Sequence, residues 1–347
     1  MTRKPTLADV ARRAGVSAST ASVVYSGKVA VAETTKDKVL AAAAELGYAG
    51  PDPRAASLRR GRSGIVGVVV GSDLRSAFAD PILTVTMDGV AESIASSGAG
   101  ILLLRDDPEW GGPTLATAPI DAVALIGCNP TLRDSLDAAR SRGIPMVVIE
   151  GDAGPDVPQI TIDSLEAQRQ LARHVRSLGH ERVALVTLPL SRRTGMSVAG
   201  AAHAVQAEVD VTRERLEGAR EIFPDAVVVS TARSTIDNGY EAGRLLFGSG
   251  ERPTAVLAQS DMLAAGVLRA ALDAGLRVPE EVSITGFDGI TVDGIAPYRL
   301  TTMAQPALDK GRAAGEALAR LLADEPAASF RFTCEFIEGN TTGPAPV

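Results

Sequence analysis

Between residues 65 and 285 one pattern recurs: a short run of apolar residues, then an amphipathic stretch of helical length. The run 65–70 is apolar throughout, as in a parallel strand buried on both faces. The pattern predicts strands at 65–70, 101–104, 122–126 and 145–149, with helices at 81–97 and 132–142. A second series begins with a helix at 164–178 and a strand at 182–187, then a helix near 212–221 and a strand at 226–229. A helix at 236–247, a strand at 255–258, a helix at 262–274 and a strand at 282–285 complete it. Two series of strand–helix alternation imply two doubly wound parallel-sheet lobes. Ligands of such folds bind beyond the carboxyl ends of the strands, here in the cleft between lobes.

The stretch 6–27, TLADVARRAGVSASTASVVYSG, reads differently. Thr6 with Asp9 three residues later forms a capping pair, and Val10, Ala11 and Ala14 follow at helical spacing. Gly15 supplies the left-handed backbone of a helix stop, and Ser17 is an N-cap for a second helix. In that helix Ala21, Val24 and Tyr25 face inward, leaving Ala18, Ser19, Ser22 and Val23 outward near its N-terminus. A short polar surface at a helix N-terminus fits a DNA major groove. An ordinary helical hairpin is the alternative, and charge decides against it. Residues 1–62 hold 11 Lys and Arg against 5 Asp and Glu, while the remainder holds 24 against 37. A basic end on an acidic body is the electrostatic footprint of a DNA-binding head.

A third helix is expected at 33–47, with Val39, Ala42, Ala43 and Leu46 as its stripe and Gly47 as its stop. The prolines and glycine of Gly50-Pro51-Asp52-Pro53 mark a linker. Residues 53–60 have the makings of two helical turns, a length unstable alone in water.

These residues closely resemble the lac repressor (LacI/GalR) family of bacterial transcription regulators. The head matches in Thr6-Leu7-Ala8-Asp9-Val10-Ala11, Ala14-Gly15-Val16-Ser17, Thr20-Ala21-Ser22, Leu46-Gly47-Tyr48 and Ala55-Ala56-Ser57-Leu58-Arg59. The body matches in Leu178-Gly179-His180, Ser260-Asp261, Ser283-Ile284-Thr285-Gly286-Phe287-Asp288 and Leu300-Thr301-Thr302 with Gln305-Pro306. The resemblance implies an all-α helix-turn-helix head on an α/β periplasmic-binding-protein-like core of two lobes. It assigns residues 1–49 to the head and 50–62 to a linker and hinge helix. Residues 63–160 with 290–325 form the first lobe and 161–289 with 326–345 the second, the chain crossing near 161, 289 and 326.

By the same resemblance, DNA contacts fall on Thr6, Ser17, Ala18, Ser19, Thr20, Ser22, Val23, Ser26, Thr35, Tyr48, Ala55 and Leu58. Leu58 stands where the family wedges a leucine into the minor groove, which unstacks a base step and kinks the duplex. The cleft positions are Phe78, Asp80, Arg215, Ser260, Asp261 and Asp288. Arg215 would donate a forked pair of hydrogen bonds, Asp288 would accept from a hydroxyl or amine, and Phe78 would offer a face to a sugar ring. Two simpler roles stand beside these: Asp261 as the cap of its own helix, and Asp288 as a loop tie. Ser164, Ala167 and Gly289 replace the family's usual asparagine, glycine and aspartate. Within the insert 191–211, Arg192 or Arg193 would be the substitute contact. Ala18, Ser19 and Val23 are too short to grip a guanine bidentately, so readout would lean on the hinge and on DNA shape.

Other chemistries find little footing. The chain has no phosphate loop ending in Lys-Ser or Lys-Thr, no dinucleotide fingerprint, no zinc-spaced histidine pair and no nucleophile elbow. Its histidines, 174, 180 and 203, stand beside no nucleophile, and His180 reads as structural. Cys128 and Cys334 read as buried thiols, and Trp110 as a surface anchor. No apolar run is long enough to span a membrane. The expectation is therefore a cytoplasmic homodimeric regulator, a repressor by resemblance. It binds operator DNA and a small carbohydrate-like effector, and uses no cofactor or metal. A solute-binding protein of a transporter shares the body but requires export. A sugar-modifying enzyme fused to a head requires a catalytic pair that is absent from the sequence.

Overall fold

The computed structural model describes residues 4–26, 30–51, 61–70, 74–105, 112–127, 132–191, 195–199, 206–248 and 250–346. The chain divides into two compact units, Met1–Gly64 and Ile65–Val347. Ala55, Leu58, Trp110, Cys128, Arg192, Arg193 and His203 lie outside the described residues.

The first unit holds the helices Leu7–Ala14, Ala18–Ser26 and Glu33–Leu46. Thr6 and Asp9 close a reciprocal capping box, and Gly15 ends the helix at φ 70°. Val10, Ala11, Ala21, Val39, Ala42 and Ala43 form its core. Small side chains there let three short helices pack closely, and Tyr25 meets Tyr48 edge-on at 5.7 Å between ring centroids.

The second unit contains two sheets. The first runs Phe330–Phe332, Gln159–Ile162, Met146–Ile149, Ala122–Ile126, Ile65–Val69, Gly100–Leu104, parallel throughout. The second runs Ser283–Thr285, Ala255–Ala258, Val183–Thr187, Val227–Ser230, Ser197–Ala199, with only the last strand antiparallel. Both faces of each sheet are covered, which explains the unbroken apolar strand sequences. Pro81–Ile94 and Ala307–Leu322 cover one face of the first sheet and Leu132–Ser141 the other. In the second lobe Ile236–Gly248 and Asp261–Asp273 oppose Ser164–Ser177 and Asp210–Arg220. No described helix is long and apolar enough to cross a membrane.

Ala307–Leu322 crosses Pro81–Ile94 at backbone distance. A Cβ on Gly311 would lie 2.0 Å from the Thr86 carbonyl oxygen, and one on Gly89 would lie 2.2 Å from that of Leu308. Gly311→Ala is therefore expected to lose about 1–3 kcal/mol despite alanine's better helix propensity, measured as a lower urea midpoint.

Three segments join the lobes. The first crossing lies between Ile162 and Ser164. The other two come later than the sequence places them. Leu300, with Ile295 and Tyr298, still packs on the second lobe's core, so that crossing runs through Thr302–Ala304 rather than near 289. Phe330–Phe332 extends the first sheet beside Gln159–Ile162, so the last crossing follows 332 rather than 326. Thr302–Ala304 and Glu335–Ile337 pair antiparallel between the lobes.

The C-terminal segment returns to the second lobe. The Ile284 amide donates to the Thr341 carbonyl at 2.7 Å and the Ala345 amide to the Leu178 carbonyl at 2.8 Å. The buried His180 bonds Thr254 and the Gly343 carbonyl, each at 3.0 Å, a structural role.

Candidate functional site

In the head, Ser17 organises the start of the second helix. Its hydroxyl accepts from the Thr20 amide at 3.0 Å and meets the hydroxyls of Ser19 and Thr20 at 2.7 and 2.8 Å. Ala18, Ser19 and Ser26 are exposed, and Thr20, Ser22 and Val23 half-buried. Thr6, Thr35 and Tyr48 are half-buried as well, Thr6 being held in its capping box. The face is uncharged and short, flanked by exposed Arg12 and Arg13, which pair with Asp9 at 3.1 Å and Glu45 at 2.5 Å.

In the core, five of the six residues expected at the cleft, Asp80, Arg215, Ser260, Asp261 and Asp288, lie near one another. Arg215, on Asp210–Arg220, is 4% exposed. Its guanidinium lies 3.6 Å from the Phe287 ring centroid, donates to the Gln259 carbonyl at 2.6 Å and approaches Asp288 at 3.7 Å. Its Nε stands 3.5 Å from the Ser164 hydroxyl, so a position altered from the family pattern touches a cleft residue. Asp288 follows the strand Ser283–Thr285 with φ 119°, a conformation L-residues rarely adopt. Its Oδ1 accepts from the Gln305 amide at 2.7 Å.

Ser260, not Asp261, caps Asp261–Asp273: its hydroxyl accepts from the Leu263 amide at 3.2 Å and meets that of Ser234 at 2.7 Å. Asp261 is fully buried and spends both oxygens within the protein, one on the Thr302 hydroxyl at 2.7 Å and one on the Ile290 amide at 2.8 Å. That makes it a tie between loops rather than a helix cap. Gly289 has a physical reason: a Cβ there would lie 2.3 Å from that of Ala304. Asp80 caps Pro81–Ile94 through the amides of Ile82 and Leu83, and burial raises its carboxyl against the opposing pull of Lys310 and Arg215. Phe78 is not brought to this group; it is 69% exposed on Leu74–Ala79. The thiol of buried Cys334 is pushed up to about 12 by burial, which keeps it inert.

Burial also pushes Asp261 up to about 7 and Asp288 up to about 8. Both therefore keep protons in the folded chain that an unfolded chain releases near pH 4. Their contribution to stability is complete below that pH and is lost as pH rises through about 7 and about 8. Asp288→Asn, which mimics the protonated acid, is expected to gain stability over the native chain from pH 5 to pH 8. Thermal unfolding of the two proteins at both pH values measures the difference.

Comparison with known proteins gives this arrangement its context. Residues 6–50 match the family of bacterial regulatory proteins of the lacI type, and residues 172–342 match a periplasmic binding protein-like domain. The chain is 31% identical to the HTH-type transcriptional regulator Rv3575c of Mycobacterium tuberculosis, over 99% of this chain and 98% of that one. It belongs to the lac repressor family. It is also 30% identical to the HTH-type transcriptional regulator MalR of Streptomyces coelicolor, over 98% of this chain and 97% of that one. The solved complex of the transcriptional regulator CelR with cellobiose superposes at TM-score 0.68 with 26% identity, covering 97% of this chain and 99% of that one. A lac repressor dimer bound to operator and an anti-inducer shares the fold at TM-score 0.77 and 21% identity, over 98% and 100% of the two chains. This lac repressor-family chain is a DNA-binding transcriptional regulator and not an enzyme, as its relatives are.

Sequence reasoning did not single out Glu150, Gln305 or Lys310, which hydrogen bonds join in a chain to Asp288. Lys310 is 2% exposed and Glu150 5%, and the ammonium lies 2.9 Å from a Glu150 carboxylate oxygen. The signal was present, since Lys310 stands on the apolar face of its helix with Ala307, Gly311 and Ala314. Glu150 directly follows the strand Met146–Ile149, at the end where such folds hold ligands. A cavity of about 190 Å³ opens beside Glu150, lined by Gln159 and Thr161 of the first lobe and by Asp210 and Glu214 of the second.

Proposed function

We propose that this regulator is a repressor, that it binds its operator as a homodimer in the cytoplasm, and that a small polyhydroxylated effector in the cleft sets its operator affinity. The head, residues 1–49, would read the major groove with Ala18, Ser19, Ser22 and Val23 while Thr6, Ser17, Thr20, Ser26, Thr35 and Tyr48 hold the backbone. Residues 50–62 would form the hinge, with Ala55 and Leu58 in the minor groove. A dimer sets two heads on half-sites about one helical turn apart.

The observation that carries the effector reading is the pairing of Arg215 with Asp288, 3.7 Å apart at the mouth of the second sheet. A forked donor beside a carboxylate acceptor is what adjacent hydroxyls of a sugar require. The cellobiose complex of CelR supports the carbohydrate class. Ser260 and Asp80, both committed to helix caps, would shape the site around them.

Fluorescence anisotropy against DNA from upstream of its own gene, with and without a panel of mono- and disaccharides, tests the reading. Deleting residues 1–62 is expected to abolish DNA binding and to leave carbohydrate binding intact. Operator binding by the truncated chain would refute the head assignment. A panel that shifts neither DNA affinity nor melting temperature would refute the carbohydrate class.

A further inference from the structure

The buried ion pair of Lys310 and Glu150 is not the end of its network. The Lys310 ammonium also donates to the side-chain oxygen of Gln305, whose Nε2 donates to Asp288 Oδ1 at 2.7 Å. An ammonium can only donate, so the amide oxygen of Gln305 must face Lys310 and its NH₂ must face Asp288. The amide cannot turn over without breaking both bonds. Lys310 and Glu150 belong to the first lobe, on Ala307–Leu322 and after Met146–Ile149, and Asp288 follows a strand of the second. Gln305 sits on the segment that crosses between them, just beyond Thr302–Ala304. Backbone bonds hold the same junction: the Asp288 amide donates to the Met303 carbonyl at 2.8 Å, and the Gln305 amide to the Asp288 carbonyl at 3.1 Å.

We propose that Lys310 and Gln305 are positioning residues that bind the Asp288 carboxylate to the first lobe and leave its second oxygen for the effector, so that a ligand donor group and the lobe arrangement are read by one carboxylate. This rests on the effector reading of the cleft. It deepens that reading by fixing the ligand's chemistry. Oδ1 is taken by Gln305 and approached by Arg215, and no described residue donates to Oδ2. The effector group that meets Asp288 is therefore a hydroxyl, which can accept from the protonated acid and donate to the carboxylate. A purely stabilising role explains the ion pair poorly, because apolar side chains of similar volume often replace a buried ion pair at no loss of stability. The charged or titratable groups that act most strongly on Asp288 are Arg215, Asp261 and Asp80.

The test is a mutant cycle on the full-length chain without ligand. Glu150→Leu with Lys310→Met removes the ion pair without leaving a buried charge alone, and Asp288→Asn alters the far end. Groups that do not communicate give additive effects. With Gln305 in place, the change in the urea unfolding constant caused by Asp288→Asn is expected to differ at least tenfold between the native and ion-pair-free backgrounds. With Gln305→Met, which breaks the relay without changing charge, the two are expected to agree within twofold. Additivity with Gln305 present overturns the relay, and so does non-additivity that survives Gln305→Met. Carbohydrate-panel binding to Asp288→Ala is scored separately. Unaltered binding there overturns the effector reading, whereas the relay stands or falls on the unfolding constants alone.

Discussion

Lys310→Ala is expected to cost the core about 3–5 kcal/mol, seen as a large fall in the urea midpoint. The lysine is 2% exposed and its partner Glu150 5%, so removing the ammonium strands a carboxylate in the interior. The accompanying loss of side-chain volume beneath the cleft adds a cavity term. Lys310→Met with Glu150→Leu is expected to recover most of that stability, because it removes both charges and keeps the volume. A single variant no less stable than the native chain would show that Glu150 finds another partner or solvent.

Asp288→Ala is expected to abolish the response of operator affinity to effector. A hydrogen bond contributes about 0.5–1.5 kcal/mol between neutral groups and about 1.5–3 kcal/mol to a charged one, so the lost partner weakens binding roughly 2- to 150-fold across the titration of Asp288. The substitution also takes the carboxylate from beside Arg215, which it approaches at 3.7 Å. Unfolding does not account for the expected loss, because ionisation of this acid is itself unfavourable in the fold, its carboxyl being pushed up to about 8. Anisotropy titrations of operator by native and variant protein, with the carbohydrates that act on the native chain, give the comparison. An unchanged dose curve would move the effector elsewhere. By linkage, operator and effector must alter each other's affinity by the same factor, so the same variant should make effector binding indifferent to DNA.

The parts of the fold legible in the sequence were those with a period. Strands such as Ala122–Ile126 are buried on both faces and read as unbroken apolar runs, and the head declared itself through Thr6, Asp9, Gly15 and Ser17. What escaped has no period. Thr302–Ala304 and Glu335–Ile337 are three residues long, too short for an alternation to show. Ala307–Leu322 carries Gly311 and Gly315, which read as interruptions in a sequence but permit a helix crossing at backbone distance. Arg215 and Asp288, which the structure brings within 3.7 Å of each other, were singled out because their positions match a family pattern. Glu150 and Lys310 were not, because a lysine on an apolar face was the only local sign. Phe78 is a matching position of another kind, its ring mostly exposed.

The C-terminal strap carries a consequence for synthesis. Ile284 donates to Thr341, His180 meets Gly343 and Ala345 donates to Leu178, so the second lobe is completed only once residues 341–345 have been made. The three-helix head, built from contiguous sequence, can mature on the ribosome long before that. A nascent chain therefore owns a finished DNA reader while its sensor is still open, and any pause in synthesis before residues 341–345 would prolong that unbalanced interval.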